Sequence, residues 1–205
     1  MVKFQWLRAI FEWSMQRSPG EALPTTPPAA LMPFIEEEEA GGSADGPPTD
    51  EARAAQAERL LRQAAPMLQR SQWEGAALAL GQAVALAPEP SVAMRINLAN
   101  CLCELSGREA EAEEQYKAVL AAAPTTFEAL ANYGMMLSEQ GAEREEEAVR
   151  TLRAALQVKP AWAQGHYNLG NILSARGAEH ESAALACYAE AVKHAPREAD
   201  FHNNY

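Results

Sequence analysis

Four prolines set the repeat length of this chain. They occur at Pro88, Pro124, Pro160 and Pro196. Each follows the previous one by 36 residues and closes an alanine-rich helical segment. A fixed period of this size indicates a repeat architecture, in which each unit buries its apolar face only by stacking on its neighbours. The period therefore limits the fold to an array of similar helical units.

Each unit contains two helical segments separated by a glycine. The first segments align as INLANCL, ANYGMML and YNLGNIL, at residues 96–102, 131–137 and 167–173. The glycines that follow them are Gly107, Gly141 and Gly177. The extra residues around the last two glycines fall in the predicted turn between the segments, where added length costs little.

Small residues recur at matching positions of both segments. In the first segments they are Ala64, Ala99, Gly134 and Gly170. In the second segments Ala76, Ala112, Ala148 and Ala184 are followed four residues later by Leu80, Tyr116, Leu152 and Tyr188, and three further on by Ala83, Val119, Ala155 and Ala191. Spacings of four and three lie on one face of a helix. The pattern thus predicts helical hairpins in which small residues permit close approach.

This pattern resembles the tetratricopeptide repeat family, from about residue 57 to the end of the chain. The resemblance implies an all-α fold, a right-handed superhelical solenoid of stacked helix-turn-helix repeats. We predict an array at 51–205, with repeats at 57–91, 92–126, 127–162 and 163–198 and the start of a fifth at 199–205. Because an array needs a capping element, we expect the natural chain, or a partner, to continue beyond Tyr205.

Two features depart from the family pattern. The family has a bulky aromatic residue at the fourth position of each first helix, where this chain has Arg95, Leu130 and His166. Pro66 falls inside the first helix of the first repeat, and we expect it to kink or shorten that helix. The first repeat therefore carries the weaker match, as is common for a terminal repeat.

The resemblance also implies that the first helices line a concave groove. Asn97, Asn132 and Asn168 occupy the sixth positions, which the family points into that groove, and Asn204 continues the row in the fifth repeat. Asn100 and Asn171 occupy ninth positions, where the middle repeat has Met135. An asparagine amide can donate to and accept from the backbone of an extended peptide. We predict a peptide-binding groove; the alternative is that these asparagines cap turns or bond neighbouring helices.

These features favour a protein-binding adaptor or scaffold that holds a peptide segment of a protein partner and can belong to a larger complex. A similar asparagine row lines the superhelix of the O-linked N-acetylglucosamine transferases and some cargo adaptors. The alternative function is therefore the substrate-recruiting region of a longer enzyme of that kind. A carboxylate clamp of the chaperone-binding type is not expected, because Ile96, Gln164 and Asn168 stand at its cationic positions.

The region before the array has two parts. Residues 1–17 form a candidate amphipathic helix, whose apolar face includes Phe4, Trp6, Leu7, Phe11 and Trp13. Three alternatives stay open for it: docking on the repeats or disorder, docking on a partner, and contact with a membrane surface or targeting. Residues 18–50 are rich in proline and glutamate, which predicts a flexible linker. We expect a cytoplasmic protein, with organellar targeting by residues 1–17 left open.

Other classes of function find little support in the sequence. A formal charge of −11 disfavours nucleic-acid binding, and no apolar run is long enough to cross a bilayer. Cys101, Cys103 and Cys187 have no ligand-like spacing, which favours reduced, buried thiols. His166 and His202 occupy the same position in successive repeats, and stacked helices hold them too far apart to bind one metal ion. His180 and His194 are predicted to be solvated. No catalytic, metal or cofactor site is predicted.

Overall fold

A computed structural model describes residues 48–198 of the chain. Its α-helices are α1 (Asp50–Gln69), α2 (Trp73–Leu86), α3 (Val92–Cys103), α4 (Glu109–Ala122), α5 (Phe127–Glu139), α6 (Glu145–Val158), α7 (Ala163–Ala175) and α8 (Glu181–His194). Short 3-10 helices, Ala142–Arg144 and Ala178–His180, precede α6 and α8. This part of the chain contains no strand, and none of its helices has an apolar stretch that could cross a bilayer.

Successive helices pair into four helical hairpins: α1 with α2, α3 with α4, α5 with α6 and α7 with α8. We call the odd-numbered helices the first helices and the even-numbered ones the second helices. Each second helix also packs against the next first helix, and α5 contacts both α3 and α7. The helices α3, α5 and α7 begin at Val92, Phe127 and Ala163, the residues at which three of the predicted repeats begin.

The periodic prolines end the second helices. Each lies two residues beyond the last helical residue, and the residue between has left the helical region, with ψ of 127° at Ala87, 82° at Ala123, 83° at Lys159 and 70° at Ala195. The proline ring excludes helical ψ from the residue before it, so the chain must turn there. The prolines thus set where one repeat stops and the next begins.

Glycines set the turns inside the hairpins. Gly141 and Gly177 have φ of +86° and +106°, a region that side-chain-bearing residues rarely adopt. The residues after each glycine form a 3-10 turn that leads into the second helix. The extra residues predicted for these turns are therefore ordered as one turn of helix rather than as an open loop.

Pro66, which we expected to kink or shorten its helix, does not end it. The helix α1 continues past it and ends at Gln69, so the proline does not terminate the helix. Because proline has no N–H, the carbonyl of Arg62 lacks its i+4 donor, and α1 tolerates this loss near its C-terminal end. The buried side chain of Ala64, one turn from the end, holds this part of α1 against its hairpin partner.

The small residues bring the two helices of each hairpin into contact, as predicted. Ala64 and Ala99 are fully buried, and the two glycines of the set leave no room for a side chain. A Cβ on Gly134 would lie 2.9 Å from a methyl group of Leu152. A Cβ on Gly170 would lie 2.6 Å from the ring of Tyr188. The bulky residue of each second helix therefore fills the space that the glycine leaves.

Ion pairs join consecutive hairpins. Nη1 and Nη2 of Arg144 each lie 2.9 Å from the carboxylate of Glu113 on α4, and Nη2 lies 2.7 Å from Glu147 on α6. The hydroxyl of Tyr133 donates to Glu147 at 2.7 Å. Hydrogen bonding from Arg144 holds the pKa of Glu113 at about 2, well below the usual carboxyl range.

The second pair of this kind repeats the arrangement one hairpin later. Arg176, just after α7, contacts Glu145 at the start of α6, and its Nη2 lies 2.8 Å from Glu146. Arg144 and Arg176 thus each lie in the turn of one hairpin and bind a carboxylate on the second helix of the preceding hairpin. The stack of hairpins is therefore stabilised by ion pairs as well as by its buried apolar residues.

We predict that Gly170→Ala destabilises the chain, because the added Cβ must displace the Tyr188 ring. Overpacking of this kind costs about 1–3 kcal/mol of unfolding free energy. The matched control is Gly81→Ala, whose Cβ would meet only a Leu98 methyl at 4.0 Å. That variant is expected to gain about 0.5–1 kcal/mol from helix propensity. Urea unfolding measures both, and equal effects of the two substitutions would contradict the close-approach argument.

We predict that Glu113→Gln destabilises the protein in a pH-dependent way. The folded carboxyl has a lowered pKa, so its stabilisation is present above the unfolded pKa of about 4.3 and is lost as pH falls towards about 2. At neutral pH the variant should lose about 1–2 kcal/mol. This difference should shrink below about pH 4. Unfolding free energies across this range, with the exposed neighbour Glu114→Gln as control, test it; a pH-independent difference would refute it.

Candidate functional site: the asparagines of the first helices

The sixth-position asparagines lie one on each of three successive first helices. Asn97 on α3 and Asn168 on α7 are partly exposed, whereas Asn132 on α5 is only 2% exposed. The predicted row therefore differs along its length: its middle member is withdrawn from solvent. Asn204 lies outside the described residues, as do Phe4, Trp6, Leu7, Phe11 and Trp13 of the predicted N-terminal helix.

Asn132 belongs to a hydrogen-bond network between two hairpins. Its Nδ2 donates to Oδ1 of Asn100 at 2.8 Å, and the hydroxyl of Tyr116 donates to the same oxygen at 2.6 Å. Within the described part of the chain, Oδ1 of Asn132 is buried and has no hydrogen-bond partner. One asparagine thus accepts two hydrogen bonds, from its own hairpin and from the next one.

The ninth-position asparagines have a partner within their own repeat. Tyr116 donates to Asn100, and Tyr188 donates to Asn171 at 2.9 Å. The middle repeat has Leu152 in place of the tyrosine and Met135 in place of the asparagine. The two positions therefore change together, because a buried tyrosine hydroxyl needs an acceptor and a leucine does not.

This pairing explains the interruption of the second row at Met135. It also supports the alternative considered above, that some of these asparagines bond neighbouring helices. Asn100 and Asn132 act inside the stack, and Asn171 holds the Tyr188 hydroxyl while remaining exposed. The sequence carries the signal for this pairing: a tyrosine stands at the bulky position of the second helix, as Tyr116 or Tyr188, only in the repeats that have a ninth-position asparagine.

Asn168 has a different partner. Its Oδ1 accepts a hydrogen bond from Nε2 of Gln164, one turn earlier on α7, at 2.8 Å. Gln164 is also partly exposed, so the two amides lie side by side at the surface of α7. In the sequence, Gln164 is notable only because it occupies a position where a carboxylate clamp would need a cation. The structure gives it a role in orienting Asn168.

The buried hydroxyl and thiols near this network are neutral. Burial raises the pKa of the Tyr116 hydroxyl well above its usual value, so the hydroxyl remains a donor. Burial likewise raises the pKa values of the Cys101 and Cys103 thiols to about 12. Thiols held in this form are poor nucleophiles and poor metal ligands. The cysteines therefore contribute packing to this region rather than reactivity.

The structure also brings together a group that sequence analysis did not. His166 of α7 stacks on His194 of α8, with ring centroids 6.0 Å apart, and Glu190 lies 3.3 Å from Nε2 of His194. Comparison by repeat position pairs His166 with His202 instead, one repeat later. The available signal was instead the i, i+4 spacing of Glu190 and His194, which places both on one face of a helix.

We predict that Tyr116→Phe costs about 1 kcal/mol or more of unfolding free energy, because it removes a buried donor from Asn100. Tyr188→Phe should cost less, since water can replace the hydroxyl at the exposed Asn171. Chemical unfolding of the two variants provides the comparison. If Tyr188→Phe proved the more harmful, the assignment of the Asn100 network as the buried one would be wrong.

Comparison with solved structures identifies the fold. No protein-family model and no curated protein matches the chain. The structure of YrrB, a tetratricopeptide-repeat protein with an unusual peptide-binding site, has a TM-score of 0.65 at 18% identity, covering 75% of this chain and 76% of YrrB. MamA from Desulfovibrio magneticus RS-1 has a TM-score of 0.65 at 22% identity, covering 74% and 82%.

A tetratricopeptide repeat protein from Parabacteroides merdae has a TM-score of 0.64 at 16% identity, covering 73% of this chain and 57% of that protein. At these identities the likeness concerns the fold. It agrees with the four helical hairpins of the described residues and with the predicted fold class. The chain has the all-α solenoid fold of tetratricopeptide-repeat proteins.

Proposed function

We propose that the chain is a non-catalytic adaptor of the tetratricopeptide repeat family that binds an extended segment of a protein partner along its first helices. The observation that carries this proposal is the placement of Asn97 and Asn168. They hold equivalent positions on α3 and α7, and both are partly exposed. Between them lies α5, which contacts both helices, and we take the solvent-facing surface of α3, α5 and α7 as the binding face.

The chemistry of this face suits peptide main chain. A carboxamide donates and accepts at once, and it therefore matches the N–H and C=O groups of an extended peptide without regard to side chains. Helices in contact lie about 8–10 Å apart, so Asn97 and Asn168 are separated by about 20 Å. An extended peptide rises about 3.4 Å per residue, and about six residues would join the two asparagines.

The remaining asparagines form hydrogen bonds that hold the helices of this face in position. Asn132 is buried and donates to Asn100, which fixes α5 against the preceding hairpin. Asn171 accepts from Tyr188 and fixes α8 against α7. We therefore assign peptide contact to Asn97 and Asn168, with Gln164 orienting the latter, and assign Asn100, Asn132 and Asn171 to holding the helices in place. Asn204 stays a predicted continuation of the row.

YrrB, which shares the fold, is described as having a peptide-binding site. The predicted N-terminal helix, with Phe4, Trp6, Leu7, Phe11 and Trp13, would tether the adaptor to a second partner. The alternative, a substrate-recruiting region of an O-linked N-acetylglucosamine transferase-like enzyme, would use the same face. No feature of residues 48–198 favours it over the adaptor.

The test begins with selection of peptides of about eight residues on the full chain, followed by affinity measurement for a selected peptide. We predict that Asn168→Ala and Asn97→Ala each lower the affinity about three- to tenfold, the effect of one lost hydrogen bond. The control is Gln157→Ala, an exposed carboxamide on the second helix α6. It should leave the affinity unchanged.

A second measurement separates main-chain from side-chain recognition. Methylation of individual backbone nitrogens of the selected peptide removes donors without altering side chains. At the positions opposite the two asparagines, methylation should weaken binding to the wild type and have little further effect on the matching alanine variant. Undiminished binding by both alanine variants, with the helical circular dichroism spectrum intact, would rule out the proposed face.

A further inference from the structure

The last described hairpin carries a cluster of three potential metal ligands. Each of His166, Glu190 and His194 offers one ligand atom, and within residues 48–198 these three atoms lie no more than 4.8 Å from one another. His166 comes from α7, and the other two come from successive turns of α8. The cluster shares no residue with the asparagine network or with the proposed peptide contact.

The hydrogen bond of His166 prepares its ring for metal binding. Nε2 of His166 lies 2.9 Å from the carbonyl oxygen of Pro160. A carbonyl only accepts, so Nε2 carries the proton, and Nδ1 retains the lone pair. Metal-binding histidines commonly donate their second ring N–H to a backbone carbonyl in this way, which fixes both tautomer and ring orientation.

Glu190 supplies the negative charge. Its carboxylate lies 3.3 Å from Nε2 of His194, and Nζ of Lys193 lies 2.9 Å and 3.0 Å from its two oxygens. The two hydrogen bonds from Lys193 fix the position of this carboxylate. Lys193 is also a competitor, since a metal ion at Glu190 must displace it or share the carboxylate with it.

We propose that His166, Glu190 and His194 form a binding site for a divalent transition-metal ion of the Zn²⁺ class, linking α7 to α8. Two imidazoles and one carboxylate are ligands that Zn²⁺ accepts, and three protein ligands leave a coordination position open. That position would take water, or a donor from a bound partner. The ion would join a first helix to its second helix at the end of the described array.

The geometry needs only side-chain movement. Zn²⁺ bonds of about 2.0–2.2 Å in a tetrahedral arrangement place neighbouring ligand atoms about 3.4 Å apart. The present separations of up to 4.8 Å exceed this by little more than an ångström. All three side chains are at least partly exposed, so small rotations can close the site without disturbing the buried contacts of Tyr188.

The test is titration of the untagged, reduced full chain with ZnCl₂ in an isothermal calorimeter, with CoCl₂ absorption as a spectroscopic probe. We expect one ion per chain with micromolar affinity. His166→Gln, which preserves a donor for Pro160, and His194→Gln should each weaken binding about tenfold or more. The control is His180→Gln, which removes a histidine that lies outside the cluster and should change nothing.

Lys193→Gln provides a variant that should improve the site. Removing the competing ammonium group frees the carboxylate, so the affinity for Zn²⁺ should rise several-fold, while Glu190→Gln should lower it about tenfold. A general loss of structure cannot produce this opposite pair of effects. Absence of Zn²⁺ binding, or equal affinity in wild type, His166→Gln and His194→Gln, would overturn the proposal. Unchanged affinity in both the Glu190 and Lys193 variants would overturn the three-ligand assignment.

Discussion

The close approach of two helices within each hairpin is the constraint on which the rest of the structure depends. Gly134 and Gly170 leave spaces that Leu152 and Tyr188 fill, and a single methyl group at either glycine would collide with its partner. Because the helices meet at this short distance, groups on their surfaces also come within hydrogen-bond reach. The hydrogen bonds of Tyr116 to Asn100 and of Tyr188 to Asn171 thus depend on an apolar fit.

The choice between leucine and tyrosine in the second helix decides what the first helix must provide. A tyrosine fills the space and brings a hydroxyl that needs an acceptor, which Asn100 and Asn171 supply. A leucine at Leu152 brings no such need, and Met135 stands where the asparagine would be. The asparagines therefore have two physical origins: a structural one at the ninth position and at Asn132, and a proposed recognition role at Asn97 and Asn168.

The sequence was sufficient to predict the elements that depend on period and size, and insufficient for those that depend on partners. The prolines, the glycines and the small residues at the helix contacts all follow from residue type and spacing. The burial of Asn132 does not, because its partner Asn100 lies 32 residues away on another helix. His166 and His194 were missed for the same reason: comparison by repeat position pairs His166 with His202, whereas the contact crosses one hairpin. The continuation of α1 past Pro66 was also missed, because the local preference of proline does not include the packing of α1 against α2.

Two kinds of interaction hold the array together. Within a hairpin the helices are held by buried apolar contacts, which added salt does not weaken. Between hairpins, the partly exposed carboxylates around Arg144 and Arg176 add an attraction that ionic strength screens. In a linear array, the coupling between neighbours determines whether repeats unfold together or one by one. The cooperativity of unfolding in this chain is thus a property that its ionic surroundings can adjust, while each hairpin keeps its own packing.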